Sequence, residues 1–593
     1  MITIKTLLVG INAKYIHTSL AVRSIEIYCK ENNTNINTRE FTINNDEDMI
    51  INEIYEEKPD FLGFSCYIWN INTVLDVIST IKKILPNIKI FVGGPEVSYE
   101  YDYIFKKGVD IVCIGEGEKT VKELVDNFNE KKCIDKSFEN IDGIAFMLNN
   151  RIVVTKERDL LPLNNIPFVY KNGLEGTENK ILYYEASRGC PYSCQYCLSS
   201  LERGLRFLNE ERVKQDLDFF LKHNVKQVKF VDRTFNCNKK FALLIWNYLI
   251  ENDNGITNFH FEISADIVDD DMLNVLKMAR LGLFQFEIGV QSTNDATLDE
   301  IKRKTNLQKL FDKVGKIKNL KNIHQHLDLI AGLPFEDYEI FKKSFNDVFS
   351  VYPEQFQLGF LKLLKGSGLR INADKYGIVY KDKAPYEVLY TNLIDYDKMT
   401  MLRNIEEMVE TYYNSGKAIN TIKYGIKFFS SPFNFFEQLA IYWKTNNYNN
   451  ISHNKMKLYE VLYIFVNNIK GIDDKVLNEI VKFDILLNDN IKSLPLWLDT
   501  KYDNDFKEKE RKFYNNEENI KKYIPHLEKY DAKQISRMCY FEKFNIDIET
   551  MINSNFDIIN QKEVYILFDY NTKNDLIYKV KYHYLERGNF NEA

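Results

Sequence analysis

The length, composition and charge of the chain narrow the classes of protein to consider. Its 593 residues exceed a single domain, and at roughly 150 residues per domain they predict three or four domains. Hydrophobic residues make up 45% and charged residues 27% of the chain, proportions typical of a soluble globular protein. The formal net charge of −7 gives no overall positive field, so we expect no nucleic-acid partner.

The sequence also argues against a membrane or secreted protein. No run of about 18 apolar residues occurs, which predicts no membrane span and no membrane partner. The apolar stretch at the N-terminus is too short for a signal peptide. The nine cysteines are scattered except for one tight triplet, which favours metal ligation over disulfides. We therefore expect a cytoplasmic protein.

Short apolar runs alternate with helical patterns over residues 1–135. The apolar stripe of Asn70–Leu85 is typical of a helix that covers a sheet. Alternating strands and helices predict an α/β domain with a doubly wound, Rossmann-like parallel sheet. The five predicted strands are Lys5–Asn12, Asn35–Phe41, Asp60–Cys66, Ile88–Val92 and Asp110–Ile114.

The remaining chain divides into three parts. Residues 136–180 predict a linker with a hairpin at Gly143–Thr155, and residues 371–593 a mostly helical domain that ends in two strands within Glu563–Tyr584. Residues 181–370 predict a partial (β/α)6 barrel, with its chemistry at the C-terminal ends of the strands. Its predicted strands are Ile181–Ser187, Gln227–Val231, Phe259–Ser264, Phe284–Val290, His324–Ile330 and Gln355–Phe360.

The cysteine triplet directly follows the first predicted barrel strand. Cys190, Cys194 and Cys197 have the spacing C-x3-C-x2-C. Three thiolates on one loop can bind three irons of a [4Fe–4S] cluster and leave the fourth iron open to another ligand. The alternatives are three unrelated structural cysteines or a zinc site, which normally needs four ligands. With Tyr196 before the last cysteine, the pattern resembles the radical S-adenosylmethionine (SAM) superfamily, in which SAM binds the open iron.

The resemblance extends along the barrel and implies a SAM site at the ends of its strands. It implies that Glu287 or Gln291 contacts the ribose and that Arg303 binds the SAM carboxylate, a group that a guanidinium can bind with two hydrogen bonds. A glycine at position 332 would let adenine approach the backbone. The second strand end, Val231–Asn236, lacks the glycines usual in the superfamily. The implied SAM contacts are Tyr196, Asp232, Asn236, Glu262, Ser264, Glu287, Gln291, Arg303 and Gly332.

The first domain resembles the cobalamin-binding domains that precede many radical SAM barrels. The resemblance rests on Phe91–Ser98 and Ile114–Glu118, where glycines at strand ends would let a corrin ring lie against the backbone. The motif Asp-x-His-x-x-Gly is absent, which leaves the lower cobalt ligand open; we expect His17 to make a structural polar contact instead. The implied cobalamin contacts are Asn12, Tyr15, Ser65, Gly93, Gly94, Glu96, Gly115, Glu116 and Gly117.

Taken whole, the chain resembles the B12-binding radical SAM proteins with a C-terminal domain of unknown function, DUF4080-like. The resemblance implies three cofactors: a [4Fe–4S] cluster, SAM and cobalamin. It implies an enzyme that cleaves SAM reductively to methylate or rearrange a substrate, small-molecule or otherwise unknown. An electron donor such as flavodoxin or ferredoxin would reduce the cluster. The role of residues 371–593 and the oligomeric state stay open.

Two alternative functions follow from the same sequence. A tRNA methylthiotransferase also joins an α/β domain to a radical SAM barrel, and Cys29, Cys66 and Cys113 would then bind a second cluster. A non-catalytic cobalamin or redox sensor would keep the architecture without cleaving SAM. The intact cysteine triplet argues against lost catalysis.

Overall fold

The computed structural model describes residues 4–201, 204–498, 505–571 and 580–585. The chain forms two compact units. One contains Met1–Pro353 and Leu358–Met399, and the other contains Glu354–Gln357 and Thr400–Ala593.

The first unit begins with a seven-stranded sheet whose first five strands in sequence are parallel. All five predicted strands are present, and the predicted hairpin pairs antiparallel with the fifth strand and so extends the same sheet. In spatial order the strands are Asn37–Thr42, Thr6–Asn12, Phe61–Ser65, Lys89–Gly93, Ile111–Cys113, Ile144–Leu148 and Arg151–Val154.

Helices cover both faces of this sheet, because its central strands are apolar on both sides. One face packs on Ile71–Ile84 and the other on Gly117–Lys131, each through a separate apolar cluster. This confirms the predicted doubly wound sheet. The helices of the domain are Leu20–Glu31, Glu47–Glu57, Ile71–Ile84, Asp102–Phe105 and Gly117–Lys131.

The second sheet of this unit has six strands that lie in the order of the sequence. The first and last strands are not neighbours, so this is the predicted partial barrel. The strands are Leu182–Tyr184, Gln227–Phe230, Asn258–Ile263, Phe284–Gln291, His324–Ala331 and Gln355–Phe360. The helices around them are Glu210–Lys222, Lys239–Glu251, Asp270–Leu276, Asp295–Glu300, Leu307–Leu320 and Tyr338–Phe349.

Burial alternates along the central barrel strands. In Phe284–Gln291 the residues Phe284, Phe286, Ile288 and Val290 are buried, whereas the residues between them are half-buried. His324–Ala331 shows the same period of two. Since successive side chains of a strand point to opposite faces, the apolar set packs outward under the helices and a polar set points into the barrel.

The second unit is mainly helical, as predicted, and ends in an antiparallel sheet. Its strands are Cys539–Ile546, Gln561–Asp569 and Lys581–Leu585. The first of these lies within a region predicted to be helical. Among the described residues, no helix is long and apolar enough to cross a membrane. Helices that begin after residue 400 are Ile419–Ile426, Pro432–Thr445, Lys455–Asn467, Asp474–Asn488, Phe506–Asn515, Glu517–Tyr523, Ala532–Met538 and Ile548–Asn553; Tyr396–Met408 precedes them.

Candidate active site

The cysteine loop lies at the C-terminal end of the barrel strands. Cys190, Cys194 and Cys197 are free thiols that line one cavity, which is partly open to solvent. Gln195 fixes the loop on both sides: its N–H donates to the carbonyl of Ile301 (2.9 Å) and its carbonyl accepts from the N–H of Leu369 (2.9 Å). The three thiols thus stand on a fixed loop at the edge of a cavity, as a three-cysteine cluster site requires.

A glycine permits the turn into this loop. Gly189 has φ +102°, a conformation that other residues rarely adopt, and a Cβ atom there would lie 2.1 Å from the carbonyl oxygen of Gly204. The backbone therefore passes so close to Gly204 that no side chain fits at this position.

Arg303 connects the cysteine loop to the barrel. Its Nη1 donates to the Tyr196 hydroxyl (3.0 Å), and its Nη2 donates to the carbonyl of Gly289. Its Nε is buried without a hydrogen-bond partner. Burial raises the pKa of the Cys194 thiol, and the positive charge of Arg303 opposes that rise. The Nε–H of the guanidinium therefore has no acceptor among the described residues.

Six of the nine predicted SAM contacts line the cavity with the three cysteines. They are Tyr196, Glu262, Ser264, Glu287, Gln291 and Arg303. Asp232, Asn236 and Gly332 do not belong to the lining.

The three residues outside the lining have other contacts. The Asp232 carboxylate accepts from the N–H of Ala186 (3.1 Å) and from the Ser187 hydroxyl, and burial raises its pKa to about 7. The Asn236 side chain bonds both the N–H and the carbonyl of Ser264 (2.9 and 2.8 Å). Both residues thus position strand ends around the cavity.

Gly332 has φ +90° but does not border open space. A Cβ atom at this position would lie 3.0 Å from Val388 and 3.4 Å from Met399. The absence of a side chain at Gly332 therefore lets Val388 and Met399 pack against the backbone.

Three carboxyl groups from adjacent strands line the cavity. Glu287 is 2.8 Å from Lys229 Nζ and 3.3 Å from His260 Nε2. Burial alone would raise the pKa of Glu287, but these two neighbours outweigh it and hold the pKa below its ordinary value. Burial raises the pKa of Glu262 to about 7 and that of Asp328 to about 8.

Sequence reasoning missed eight of the cavity residues. Alternating polar residues in strands such as His324–Ala331 were the available signal, because such a pattern inside a barrel marks inward positions. The missed residues are Tyr192, Ser200, Arg233, Thr234, Ile263, Gly289, Lys304 and Asp328.

The residues predicted to contact cobalamin lie at or beside the strand ends of the first sheet. Gly115 has φ +80° and nothing within 4 Å of a Cβ position, so the backbone there is open. Gly94 has φ +114°, and a Cβ atom would lie 2.5 Å from the carbonyl oxygen of Cys66. Tyr15 is 67% exposed, whereas Ser65 is buried. The open backbone at Gly115 suits a flat ring that lies against it.

Four other residues predicted to contact cobalamin already contact other residues of the protein. Asn12 Nδ2 donates to Glu40 (2.9 Å). Glu96 pairs with Lys365 (2.8 Å) and accepts from the Tyr386 hydroxyl. A Cβ atom at Gly93 would lie 3.2 Å from Cys113, and one at Gly117 would lie 2.9 Å from Ile25. Structural contacts therefore account for these residues in the described chain.

A half-buried ion-pair network joins the first domain to the cysteine loop. Arg188, two residues before Cys190, donates to Glu118 (2.9 Å) and to Glu185 (2.7 Å). Its Nη1 lies 3.3 Å from Glu116, which also pairs with Arg206. Arg188 therefore links the start of the helix that follows Gly115 to the cysteine loop through ion pairs.

His17 makes the polar contact predicted for it. Its Nδ1 is 2.7 Å from the Tyr183 hydroxyl at the first barrel strand, and burial lowers the pKa of the imidazole.

Comparison with known protein families divides the chain into three regions. The B12 binding domain matches residues 6–125, and the radical SAM superfamily matches residues 184–348. A protein family of unknown function, DUF4080, matches residues 374–568.

The curated relatives include two methyltransferases. One is the cobalamin-dependent radical SAM methyltransferase TokK of Streptomyces tokunonensis, 28% identical over 48% of this chain and 44% of that protein. Another is a 2-(S-pantetheinyl)-carbapenam-3-carboxylate methyltransferase of Streptantibioticus cattleyicolor, 27% identical over 48% of this chain and 44% of that protein. The chain thus spans less than half the length of these two relatives.

Solved structures share the fold at low sequence identity. OxsB, a cobalamin-dependent S-adenosylmethionine radical enzyme, superimposes with a TM-score of 0.58 and 14% identity over 82% of this chain and 79% of that chain. The radical S-adenosylmethionine methyltransferase TsrM from Kitasatospora setae, solved with cobalamin and a [4Fe–4S] cluster, gives a TM-score of 0.54 and 14% identity over 65% of this chain and 79% of that chain.

Proposed function

We propose that this chain is a cobalamin-dependent radical SAM enzyme, because its successive regions match the B12 binding domain, the radical SAM superfamily and DUF4080. The observation that carries the proposal is the placement of Cys190, Cys194 and Cys197 around one cavity at the barrel strand ends. Cobalamin would bind within residues 1–135, and the cluster and SAM within residues 181–370. We assign a cytoplasmic location, where free thiols stay reduced.

The cavity residues have distinct roles in this proposal. The three cysteines bind three irons of a [4Fe–4S] cluster. The unpartnered Nε–H of Arg303 donates to the SAM carboxylate, while Nη1 of the same guanidinium donates to the Tyr196 hydroxyl. When bound, the cluster would supply the electron for the reductive cleavage of SAM, and cobalamin would supply the chemistry for methylation or rearrangement. Asp232 acts as a positioning residue, because it fixes the strand end before the cysteine loop.

The first domain supports the cobalamin assignment through its glycine edge. The open backbone at Gly115 leaves room for a corrin ring. His17 is engaged by Tyr183, so we propose that this histidine does not ligate cobalt.

The methylthiotransferase alternative lacks ligands for its second cluster. Cys29 and Cys113 pack in the apolar cluster on one face of the first sheet, and Cys66 packs in the cluster on the other face. Burial raises the pKa of Cys29 and of Cys113 to about 12.

The substrate and the electron donor are assigned by class. Two curated relatives are named as methyltransferases, and one name specifies a carbapenam substrate. We propose a small-molecule substrate for this chain and methyl transfer ahead of rearrangement. A flavodoxin or ferredoxin would supply the electron.

Anaerobic reconstitution tests the proposal. The protein would be loaded with iron, sulfide and hydroxocobalamin, and bound iron, bound cobalamin and SAM cleavage would be measured together. We expect about four irons per chain, one cobalamin, and formation of 5′-deoxyadenosine or S-adenosylhomocysteine. Cys194→Ala removes a cluster ligand and should abolish iron binding and SAM cleavage, whereas Cys133→Ala, at an exposed cysteine, should preserve both.

Two results would contradict parts of the proposal. Cluster binding and SAM cleavage without cobalamin would make the chain a radical SAM enzyme without B12. Cobalamin binding with no SAM cleavage would favour the sensor alternative.

A further inference from the structure

Two basic side chains lie beneath Glu287 inside the barrel. Lys229 and His260 are opposite each other in the register of adjacent strands. Glu287 is opposite Glu262, which follows His260 by two residues, so Glu287 lies one inward position closer to the strand ends around the cavity. Glu287 lines the cavity, whereas Lys229 and His260 are not among its described lining residues. The two basic groups therefore reach the cavity only through this carboxyl group.

Both basic groups contact the same oxygen of Glu287. Lys229 Nζ donates to Oε2 at 2.8 Å, and His260 Nε2 lies 3.3 Å from the same atom. Among the described residues, no hydrogen bond or ion pair uses the other oxygen, Oε1. One carboxylate oxygen is therefore bound within the barrel, and the other is left for a donor that enters the cavity.

The same contacts keep Glu287 charged, unlike the neighbouring carboxyl groups of the cavity. Burial alone would raise the pKa of Glu287, but His260 and Lys229 hold that pKa below its ordinary value. At Glu262 and Asp328 burial prevails and raises the pKa to about 7 and about 8. A hydrogen bond to an ionised acceptor is roughly twice as strong as one between neutral groups. Near neutral pH, Glu287 is thus the strongest of the three as an acceptor for a hydroxyl group.

The free oxygen of Glu287 matches the ribose hydroxyls of SAM. In the proposed function, the amino group of SAM binds the open iron of the cluster, and the carboxylate of SAM binds Arg303. The ribose then presents O–H donors, which an ionised carboxylate accepts. Because a glutamate side chain has several rotatable bonds, fixing Oε2 in advance also reduces the conformational entropy that is lost when SAM binds.

We infer that Lys229 and His260 are positioning residues that set the preference of the SAM site for a ribose with free hydroxyls. They fix Oε2 of Glu287 and leave Oε1 to accept from a ribose hydroxyl. The inference rests on the proposed function and deepens it, because it assigns the selectivity for SAM to two residues that do not touch SAM themselves.

Equilibrium binding of SAM to the cluster-loaded protein, without a reductant so that SAM stays intact, tests this inference. The second ligand is the 2′,3′-dideoxy analogue of SAM, which lacks both ribose hydroxyls. We expect the natural protein to bind SAM about tenfold more tightly than the analogue. Lys229→Met should weaken SAM binding about tenfold and change binding of the analogue by less than about twofold. Lys229→Arg keeps the charge and should keep SAM binding within about threefold of the natural protein.

A double variant tests whether Lys229 acts through Glu287. Glu287→Gln alone should weaken SAM binding, and adding Lys229→Met should weaken it further by less than about twofold, because effects that pass through one shared contact do not add. His260→Leu provides a second single variant with the same expected direction as Lys229→Met. Lys226→Met is the matched control, because Lys226 is exposed just before the same strand, and it should change binding of neither ligand.

Three results would overturn the inference. The first is equal binding of SAM and the analogue by the natural protein. The second is equal weakening of both ligands in Lys229→Met, since general damage to the site does not depend on the ribose hydroxyls. The third is unchanged SAM binding in both Lys229→Met and His260→Leu. Failure of the proposed function would be separate, because it would appear in the unsubstituted protein as missing iron or as no binding of SAM.

Discussion

The folded protein disfavours the charged form of the Asp328 carboxyl group. Burial raises its pKa from 3.8 to about 8, so the folded state keeps a proton that the unfolded chain releases. Between these values the free energy of unfolding falls as pH rises, by about 1.4 kcal/mol per pH unit for one proton. Asp328→Asn removes this loss, and we expect it to stabilise the protein by at least about 1 kcal/mol at pH 8; water at the half-buried carboxyl makes this only a part of the loss summed over the whole pH range.

Thermal unfolding midpoints between pH 4 and pH 8.5 would measure this effect. The advantage of Asp328→Asn should shrink towards pH 4, where both states carry the proton. Glu211→Gln serves as the control, because that side chain is 82% exposed. A constant difference at all pH values would show that the carboxyl is not the cause.

Individual residues were predictable where local sequence determines their placement. The cysteine triplet lies within one short loop, so its spacing alone predicted three thiols close together, and all three line one cavity. Asp328 lies inside a strand, and its neighbourhood depends on how four strands pair around the barrel. Asp232 follows a strand end as expected, but its carboxylate is turned to Ala186 and Ser187. Side-chain direction at such positions depends on partners distant in sequence.

At the scale of elements, the turn into the cysteine loop depends on one glycine. Gly189→Ala would place a Cβ atom 2.1 Å from the carbonyl oxygen of Gly204, so the loop must move. We expect at least half of the reconstituted iron to be lost while the circular dichroism spectrum stays unchanged. Gly173→Ala is the matched control, because Gly173 has a similar φ of +116° but nothing within 4 Å of a Cβ atom. Equal iron loss in both variants would show that backbone strain alone, and not the contact with Gly204, causes the effect.

Elements with a clear period were predicted from sequence, and those defined by distant pairing were not. The five parallel strands of the first sheet and the six barrel strands carry their own apolar pattern. The hairpin Ile144–Val154 was predicted as a hairpin, but its pairing with Ile111–Cys113 has no local signal. Cys539–Ile546 becomes a strand through Gln561–Asp569, its antiparallel partner. Tertiary pairing there outweighs the helical appearance of the surrounding sequence.

At the scale of the whole molecule, Arg188 connects two cofactor sites in the proposed enzyme. It reaches Glu118 and Glu116 at the start of the helix that follows the glycine edge, and it stands two residues before Cys190. Removing one partner of a buried ion pair leaves the others uncompensated and costs about 3–5 kcal/mol. Neither the helix start nor the cysteine loop would keep its position without this arginine.

We therefore expect Arg188→Gln to lower bound iron and bound cobalamin together, each by at least half, after reconstitution. Arg212→Gln is the matched control, because Arg212 pairs with Asp216 one turn away within a barrel helix and is absent from the shared network. Quantifying both cofactors in the same preparation checks the coupling. Loss of iron with full cobalamin occupancy would mean that Arg188 supports only the cysteine loop. Loss of both in the two variants alike would point to general destabilisation, since any buried arginine would then have the same effect.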